Sequence, residues 1–159
     1  MIQVLFVCLG NICRSPMAEG IFRKLLQEKQ LAGKIYCDSA GTSDYHMGEL
    51  PDYRMRRTAL KYSIDLTHKA RQIDSLDFEA YDYIVAMDES NYANIISHKS
   101  WKDIHAHKLI YMRQYEQMPG DMNVPDPYFG GEQGFETVYL MLLQTNTRFL
   151  DYLIKKHQL

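Results

Sequence analysis

The chain has 159 residues, of which 46% are hydrophobic and 24% are charged. These values are typical of a globular protein rather than of a disordered chain or a coiled coil. The length predicts one domain over residues 1–159, with a sizeable core. Eighteen basic and 20 acidic residues give a net charge of −2, which disfavours a protein held to nucleic acid by bulk positive charge.

The three cysteines indicate a reducing compartment. Their number is odd and too small for a disulfide scaffold, and they do not form the two separated pairs of a zinc site. The apolar start, residues 2–9, is too short to span a membrane and lacks the basic segment of a signal peptide. We therefore expect a cytoplasmic protein that binds neither nucleic acid nor a membrane.

The first predicted element is a strand at residues 4–7. This apolar run lacks alternation, which is typical of a strand buried on both faces of a parallel sheet. A turn containing Gly10 follows. Ser15 and Pro16 then predict a helix start, with Ser15 as the N-cap and Pro16 at the first helical position. The helix is expected to continue to about Glu28 because apolar residues recur at helical spacing.

Strands and helices continue to alternate downstream. The predicted elements are strands at 35–37, 83–87 and 109–112, and helices at 52–62, 91–97 and 135–156. Residues 39–48 are polar and predict a loop. This alternation favours an α/β fold with a mostly parallel sheet. In such folds ligands bind at the carboxyl ends of strands, so the turn after the first strand is the first candidate site.

A second long loop is predicted at residues 114–134. It has no regular period, is rich in proline and glycine, and contains no Lys or Arg. A structureless stretch of this length is usually functional or disordered.

The segment 8–15 has the composition of an anion site. It reads Cys8-Leu9-Gly10-Asn11-Ile12-Cys13-Arg14-Ser15. Backbone N–H groups in such a strand-to-helix turn converge on one point, and the helix N-terminus adds partial positive charge. The Arg14 guanidinium offers donors that match phosphate oxygens. Because a thiolate is itself an anion, the same field favours ionised Cys8, a nucleophile at the floor of an oxyanion cradle.

With Val7 before it and Pro16-Met17-Ala18-Glu19 after it, this segment closely resembles the signature of the low-molecular-weight protein tyrosine phosphatases. The resemblance covers nearly the whole chain and continues through residues 38–43, 70–73, 87–91, 126–129 and 135–139. It implies a four-stranded parallel sheet flanked by helices on both faces, of the flavodoxin-like phosphotyrosine phosphatase I type. It also implies hydrolysis of phosphotyrosine and aryl phosphates through a cysteinyl-phosphate on Cys8.

The same resemblance assigns Arg14 to phosphate binding and Asp126 to proton transfer. Asp126 would act as the general acid in the first step and as the base for water in the second. Pro125 and Pro127 restrict the backbone on either side of it. Without the resemblance, a solvated turn aspartate is the more ordinary interpretation.

The resemblance further implies residues that support the loop and its arginine: Asn11, Ser15, Ser39, His68 and Asp88. Ser15 would hydrogen-bond the Cys8 sulfur, and Asp88 would orient Arg14. Taken from the sequence alone, each has a plainer interpretation as a helix cap, a turn residue or an exposed histidine.

Apolar and aromatic residues near the loop are candidates for the walls of a phosphotyrosine pocket: Leu9, Ile12, Tyr45, Tyr128 and Phe129. The chain has 12 tyrosines, so a tyrosine taken at random more often packs than recognises a ligand. In the family the pair after Asp-Pro is often Tyr-Tyr. Here Phe129 keeps the aromatic wall but removes one hydroxyl.

Two alternative functions stay open. Protein-arginine phosphatases of the same fold resemble this chain but carry Thr at the position of Ile12, and Ile12 favours phosphotyrosine. A non-catalytic phosphopeptide-binding module would keep the anion site but would need neither Cys8 nor Asp126. Arsenate reductases of this fold need further redox cysteines, and the chain has none after Cys37.

Cofactors and partners follow from the same residues. His46, His98, His105 and His107 form no ligand set with a carboxylate or Cys pattern, so we expect neither metal nor cofactor. The expected partners are tyrosine-phosphorylated proteins or peptides, with inorganic phosphate as the product. The protein itself is expected to be a monomer or to self-associate weakly. Cys13 has two interpretations of equal weight, a redox partner that traps oxidised Cys8 as a disulfide or a small apolar filler.

Overall fold

The computed structural model describes residues 1–118 and 120–159. Its sheet has four parallel strands in the order β2-β1-β3-β4. The strands are β1 (Ile2–Cys8), β2 (Ile35–Gly41), β3 (Tyr83–Ala86) and β4 (Leu109–Tyr111). The α-helices are α1 (Arg14–Glu28), α2 (Tyr53–Leu60), α3 (Ser75–Ala80), α4 (Glu89–Ile96) and α5 (Glu132–His157). Short 3-10 turns at Asp103–Lys108 and Met112–Tyr115 flank β4.

Both faces of the sheet are covered by helices. In β1, Leu5 and Val7 pack into one buried cluster with residues of α3 and α4. The intervening Val4 and Phe6 pack into a second cluster with residues of α1, α2 and α5. A strand buried on both faces needs apolar side chains at every position, which explains the unbroken apolar run. The predicted four-stranded parallel sheet flanked by helices on both faces is confirmed.

Helix α1 begins one residue before the predicted N-cap. Its first residue is Arg14, and Cys13 occupies the N-cap position without a side-chain capping bond. The prediction of Ser15 as the N-cap is therefore wrong. The Ser15 side chain is buried and bonds instead to the side chains of Cys8 and Asn11, contacts that arise from the folded loop rather than from local helix geometry.

Strand β2 extends four residues beyond the predicted 35–37, so residues 39–41 are not loop. Its parallel register with β1 pairs Phe6 with Ser39 and Cys8 with Gly41. A buried serine is tolerated in this strand because it bonds to the side chains of Asn11 and Glu19. The carboxyl ends of β1 and β2 therefore finish side by side, directly behind the segment 8–15.

The remaining differences concern short elements and helix ends. Helix α3 was not predicted, because six residues are too few to show a helical period; Asp74 starts it with a capping box. Helix α5 begins at Glu132 rather than residue 135, and a 3-10 turn occupies the start of the predicted loop 114–134. Within that loop, Pro119 lies outside the described residues. In the described part of the chain, no helix has the length and apolar character needed to cross a membrane.

Candidate active site

The backbone of the segment 8–15 is held in an unusual conformation by one side chain. Asn11 has a φ of 57°, a left-handed value that is uncommon outside glycine but enriched for asparagine. Its buried amide nitrogen donates to the hydroxyl oxygens of Ser15 (2.8 Å) and Ser39 (3.0 Å). Its amide oxygen accepts from His68 Nε2 (2.8 Å) and the backbone N–H of Arg71 (3.0 Å). Four hydrogen-bond partners of the side chain therefore hold Asn11 in a strained backbone conformation that it would otherwise leave.

Strand β2 presses against the back of the same loop at Gly41. A Cβ at this position would lie 2.7 Å from the Leu9 carbonyl oxygen and 3.2 Å from the Asn11 nitrogen. The next residues of the chain donate backbone hydrogen bonds to the loop, Thr42 to the Cys8 carbonyl (2.9 Å) and Ser43 to the Leu9 carbonyl (3.0 Å). Glycine is therefore required by a close approach of two backbones.

Gly41 and Arg71 were not among the predicted site residues. The sequence signal for Gly41 was its place in the stretch 38–43, which resembles the family. Arg71 acts through its backbone N–H, which leaves no signal in the residue type.

Cys8 ends β1 with its sulfur at the floor of the loop. The residue is 3% exposed, and its Sγ lies 3.0 Å from Ser15 Oγ. The Ser15 oxygen accepts from Asn11 and also lies 3.4 Å from the Ala40 carbonyl oxygen. An ionised sulfur can only accept, so with Cys8 as a thiolate the hydrogen bond runs from the Ser15 hydroxyl to the sulfur. A donated hydrogen bond stabilises negative charge on the sulfur.

Arg14 is 3% exposed, and its guanidinium is fixed from three sides. It donates to the Asp88 carboxylate (2.6 Å), the Val124 carbonyl (3.1 Å) and the Asp126 carboxylate (3.4 Å). Burial alone would lower the pKa of Arg14, but the negative charges at Cys8, Asp88 and Asp126 outweigh it and raise that pKa. The site therefore holds a permanent, oriented cation beside the sulfur.

Asp88 also caps a helix, and this second contact fixes the position of its carboxylate. It is the N-cap of α4, and its other carboxylate oxygen accepts from the Asn91 N–H at 2.6 Å. The carboxylate is consequently held between a helix start and the Arg14 guanidinium. This gives the predicted supporting role of Asp88 a geometric basis.

Asp126 lies over the opening of the loop. Its side chain is 39% exposed, with one oxygen facing Arg14 and the other accepting from the Tyr128 N–H at 3.1 Å. The loop backbone therefore positions this carboxylate near the sulfur while leaving it accessible to water and ligand.

A cavity of about 180 Å³ joins these groups. Its lining consists of Cys8, Leu9, Gly10, Ile12, Cys13, Arg14, Tyr45, His46, Asp126, Tyr128 and Phe129. All three predicted catalytic residues and all five predicted pocket residues lie in this lining. The predicted supporting residues lie behind it or beside Arg14. His46 lines the cavity but was not among the predicted pocket residues.

Cys13 also lines the cavity. Burial raises the pKa of Cys13, and the negative charges at Asp52 and Cys8 raise it further. Its thiol therefore stays protonated at neutral pH. All three cysteines are unpaired and buried.

A buried sulfur, a fixed guanidinium and an accessible carboxylate around one anion-binding loop form a site suited to covalent phosphoryl transfer. The family model of the low molecular weight phosphotyrosine protein phosphatases matches residues 3–159. The chain is 43% identical over 150 residues to a low molecular weight phosphotyrosine protein phosphatase of Gallus gallus, with 94% of each chain covered. The chain belongs to the low molecular weight phosphotyrosine protein phosphatase family.

Solved structures agree with this membership. The fold is similar to a protein tyrosine phosphatase from Entamoeba histolytica, with a TM-score of 0.92, 37% identity and all of both chains covered. It is also similar to drosophila arginine phosphatase, with a TM-score of 0.88, 35% identity and coverage of 95% of this chain and 97% of that one.

Proposed function

We propose that this protein is a protein-tyrosine phosphatase that hydrolyses phosphotyrosine and aryl phosphates through a cysteinyl-phosphate on Cys8. The observation that carries the proposal is one cavity lined by the Cys8 thiol, the Arg14 guanidinium and the Asp126 carboxylate, with aromatic walls. Family membership supports the same activity.

In the first step the Cys8 thiolate attacks phosphorus while the bond from phosphorus to the phenolic oxygen breaks. Asp126 gives its proton to that oxygen, so tyrosine leaves as a neutral phenol. The Arg14 guanidinium and the loop N–H groups bind the non-bridging phosphate oxygens, whose charge they stabilise in the transition state.

In the second step water attacks the cysteinyl-phosphate. The Asp126 carboxylate takes a proton from that water, the bond between sulfur and phosphorus breaks, and inorganic phosphate leaves. The released thiolate accepts the Ser15 hydroxyl hydrogen bond, which makes Cys8 a better leaving group. Asn11 and Asp88 contribute by holding the loop and Arg14 in place.

The depth of the sulfur favours an aryl ester. Because Cys8 is almost fully buried, a phosphate must descend to it, and an aromatic ring fills the space between Tyr128 and Ile12. A seryl phosphate is shorter and offers no ring to these walls. This is the physical basis for proposing tyrosine-phosphorylated proteins or peptides as substrates.

The covalent mechanism is tested with Cys8→Ser, which we expect to lower kcat for an aryl phosphate roughly 10³-fold or more while preserving phosphate binding. The matched control is Cys37→Ala, which removes a buried thiol of β2 outside the cavity and should leave kcat nearly unchanged. Substantial turnover by Cys8→Ser would refute the cysteinyl-phosphate.

The general acid is tested with Asp126→Ala and two substrates that differ in leaving group. Phenyl phosphate needs protonation of its oxygen and should slow by roughly 10²–10⁴-fold, whereas p-nitrophenyl phosphate should slow much less. Asp121→Ala, an exposed carboxylate of the same loop, is the control. Equal losses on both substrates would argue against proton donation by Asp126.

A protein-arginine phosphatase is the second candidate, because one similar structure is drosophila arginine phosphatase. Phosphotyrosine, phosphoarginine and phosphoserine peptides assayed side by side decide between the two. A higher kcat/KM on phosphoarginine would replace the tyrosine proposal. Tight peptide binding without phosphate release would indicate a non-catalytic binding module.

We also propose a cytoplasmic, redox-sensitive enzyme, supported by three unpaired cysteines. Peroxide would oxidise Cys8 to a sulfenic acid, and the Cys13 thiol would condense with it, forming a disulfide and releasing water. Peptide mapping after mild peroxide treatment should find the link between Cys8 and Cys13, reversible by a thiol. Peroxide inactivation without that link would leave Cys13 as an apolar filler.

A further inference from the structure

A second and larger cavity lies behind the segment 8–15. It has a volume of about 480 Å³ and is bounded by α1, by Asp38 in the middle of β2 and by residues 63–68. Glu19, Asp38 and His68 all contribute to its wall. The phosphatase mechanism proposed above uses no atom that faces this cavity.

Three potential ligand atoms converge here. His68 Nδ1 lies 3.3 Å from Glu19 Oε1 and 3.3 Å from Asp38 Oδ1, and all three atoms lie within 4.8 Å of one another. A tetrahedral ion with bonds of about 2.0–2.1 Å holds its ligand atoms about 3.3 Å apart, which matches both nitrogen–oxygen separations.

The histidine is oriented as a metal ligand usually is. Its other ring nitrogen, Nε2, bonds to the Asn11 side-chain oxygen at 2.8 Å. That oxygen can only accept, so Nε2 carries a hydrogen and Nδ1 is the ring nitrogen that faces the two carboxylates. An outer partner that fixes the ring and its tautomer is characteristic of metal-binding histidines.

The carboxylates are oriented as well. Glu19 Oε2 pairs with Arg23 (2.9 Å), and Asp38 Oδ2 pairs with Arg71 (3.2 Å), which leaves Oε1 and Oδ1 facing His68. Glu19 Oε1 accepts one hydrogen bond from Ser39 and retains a second lone pair. The two arginines balance part of the negative charge, so we expect moderate rather than very tight binding.

We propose that Glu19, Asp38 and His68 form a binding site for a divalent transition-metal ion of the zinc class. One imidazole nitrogen and two carboxylate oxygens suit zinc better than calcium or magnesium, and the open cavity leaves the fourth position to water. The site acts on the loop from behind, because His68 would hold the ion and Asn11 at the same time. It takes no part in the chemistry at Cys8.

The first test is a calorimetric titration of the full chain with Zn²⁺, in a Cys8→Ser, Cys13→Ser background that removes the two thiols of the phosphatase cavity. We expect one ion per chain, and Asp38→Asn should weaken binding at least roughly 10-fold. Glu79→Gln is the matched control, since Glu79 pairs with His105 elsewhere on the molecule; it should not change binding. Unaltered binding in Asp38→Asn, or none in the background chain, would overturn the proposal.

Thermal unfolding gives a second readout that does not depend on catalysis. Zn²⁺ at a hundredfold excess over its Kd should raise the Tm of the background chain by roughly 5–10 °C, and this rise should be lost in Asp38→Asn. If Asp38→Asn fails to fold, Glu19→Gln serves in its place. An equal rise in the background chain and the ligand variant would contradict the assigned ligands.

Discussion

At the scale of single residues, the site depends on the backbone conformation of Asn11 and on the absence of a side chain at Gly41. The left-handed backbone at Asn11 turns the loop N–H groups inward, and the missing side chain at Gly41 lets β2 lie directly behind them. Asn11 was predicted to support the loop from the resemblance to the family. The close approach at Gly41 involves the partner strand, so it could not be read from residue spacing.

Gly41→Ala should destabilise the protein by about 1–3 kcal/mol, because its Cβ would meet a backbone oxygen that has no room to move. The same displacement should lower kcat/KM for an aryl phosphate by at least 10-fold. Urea unfolding and steady-state kinetics measure both effects. Gly33→Ala is the control, since nothing lies within 4 Å of a Cβ there. Equal behaviour of the two variants would mean that the close approach is unimportant.

Cys37 should be unreactive toward alkylating reagents in the folded protein. Burial raises the pKa of Cys37 to about 12, so the thiol stays protonated at any pH well below that value, and alkylation by iodoacetamide needs the thiolate. Brief iodoacetamide treatment at pH 8 followed by mass spectrometry should leave Cys37 unmodified in the folded protein and modified in urea. Rapid labelling without denaturant would contradict this expectation.

At the scale of elements, the start of α2 organises the loop that carries the proposed acid. Asp52 caps this helix by accepting from the Arg54 N–H at 2.8 Å, and its carboxylate also binds the Arg54 guanidinium. Arg54 in turn donates to the Tyr128 carbonyl at 2.9 Å, and its guanidinium lies 5.5 Å from the centre of the Tyr128 ring. The helix was predicted from the sequence, but its link to the loop was not.

Asp52→Ala should cost about 1–2 kcal/mol of stability at pH 7 through loss of the cap, and should raise KM by releasing the Tyr128 wall. Burial alone would raise the pKa of Asp52, but its bonds to Arg54 outweigh this and lower it. A lowered folded-state pKa stabilises the protein above the unfolded value of about 3.9, and this contribution is lost as the pH falls through the folded value.

Urea unfolding at several pH values measures this dependence. The difference between wild type and Asp52→Ala should be constant near neutrality and shrink in acid below the unfolded pKa. Asp44→Ala, an exposed aspartate, is the control and should show no such profile. If the difference in free energy of unfolding grew as the pH fell, the pKa of Asp52 would be raised rather than lowered by folding.

At the scale of the whole molecule, α5 closes one face of the sheet and supports the site from a distance. Phe149 is fully buried and packs against Phe22 of α1 with ring centres 5.6 Å apart. It also contacts Tyr83 of β3. Since α1 carries Arg14 at its first position, the packing of α5 against α1 helps to hold the helix that begins at the site.

Phe149→Ala should therefore destabilise the protein by about 3–5 kcal/mol through the cavity it leaves. Urea unfolding measures this, and kcat below the unfolding transition should change little because the site residues remain. Leu140→Ala on the same helix, where the residue is 54% exposed, should stay within about 0.5 kcal/mol of wild type. A loss below 1 kcal/mol for Phe149→Ala would show that the core relaxes.

The sequence by itself determined the four strands, all helices but the short α3, the parallel sheet and the family, because buried strands and a strand-to-helix turn leave local patterns of residue types. Together with the family resemblance it proposed Cys8, Arg14 and Asp126 as catalytic candidates, and these three residues line one cavity in the structure. The N-cap at Cys13 differs from the prediction because the Ser15 side chain bonds to Cys8 and Asn11 within the folded loop. The extension of β2 to Gly41 differs because Ser39 bonds to Asn11 and Glu19, which lie 28 and 20 residues away along the chain.

Only the tertiary structure decided which distant side chains meet. The bonds of Asn11 to Ser39, His68 and Arg71 join positions 28 to 60 residues apart, and residue types alone do not encode such pairings. The same holds for Glu19, Asp38 and His68, which come from three separate parts of the chain. The reason is physical: a local pattern reports which groups are buried or turned, whereas contacts across the molecule depend on how the sheet and helices pack.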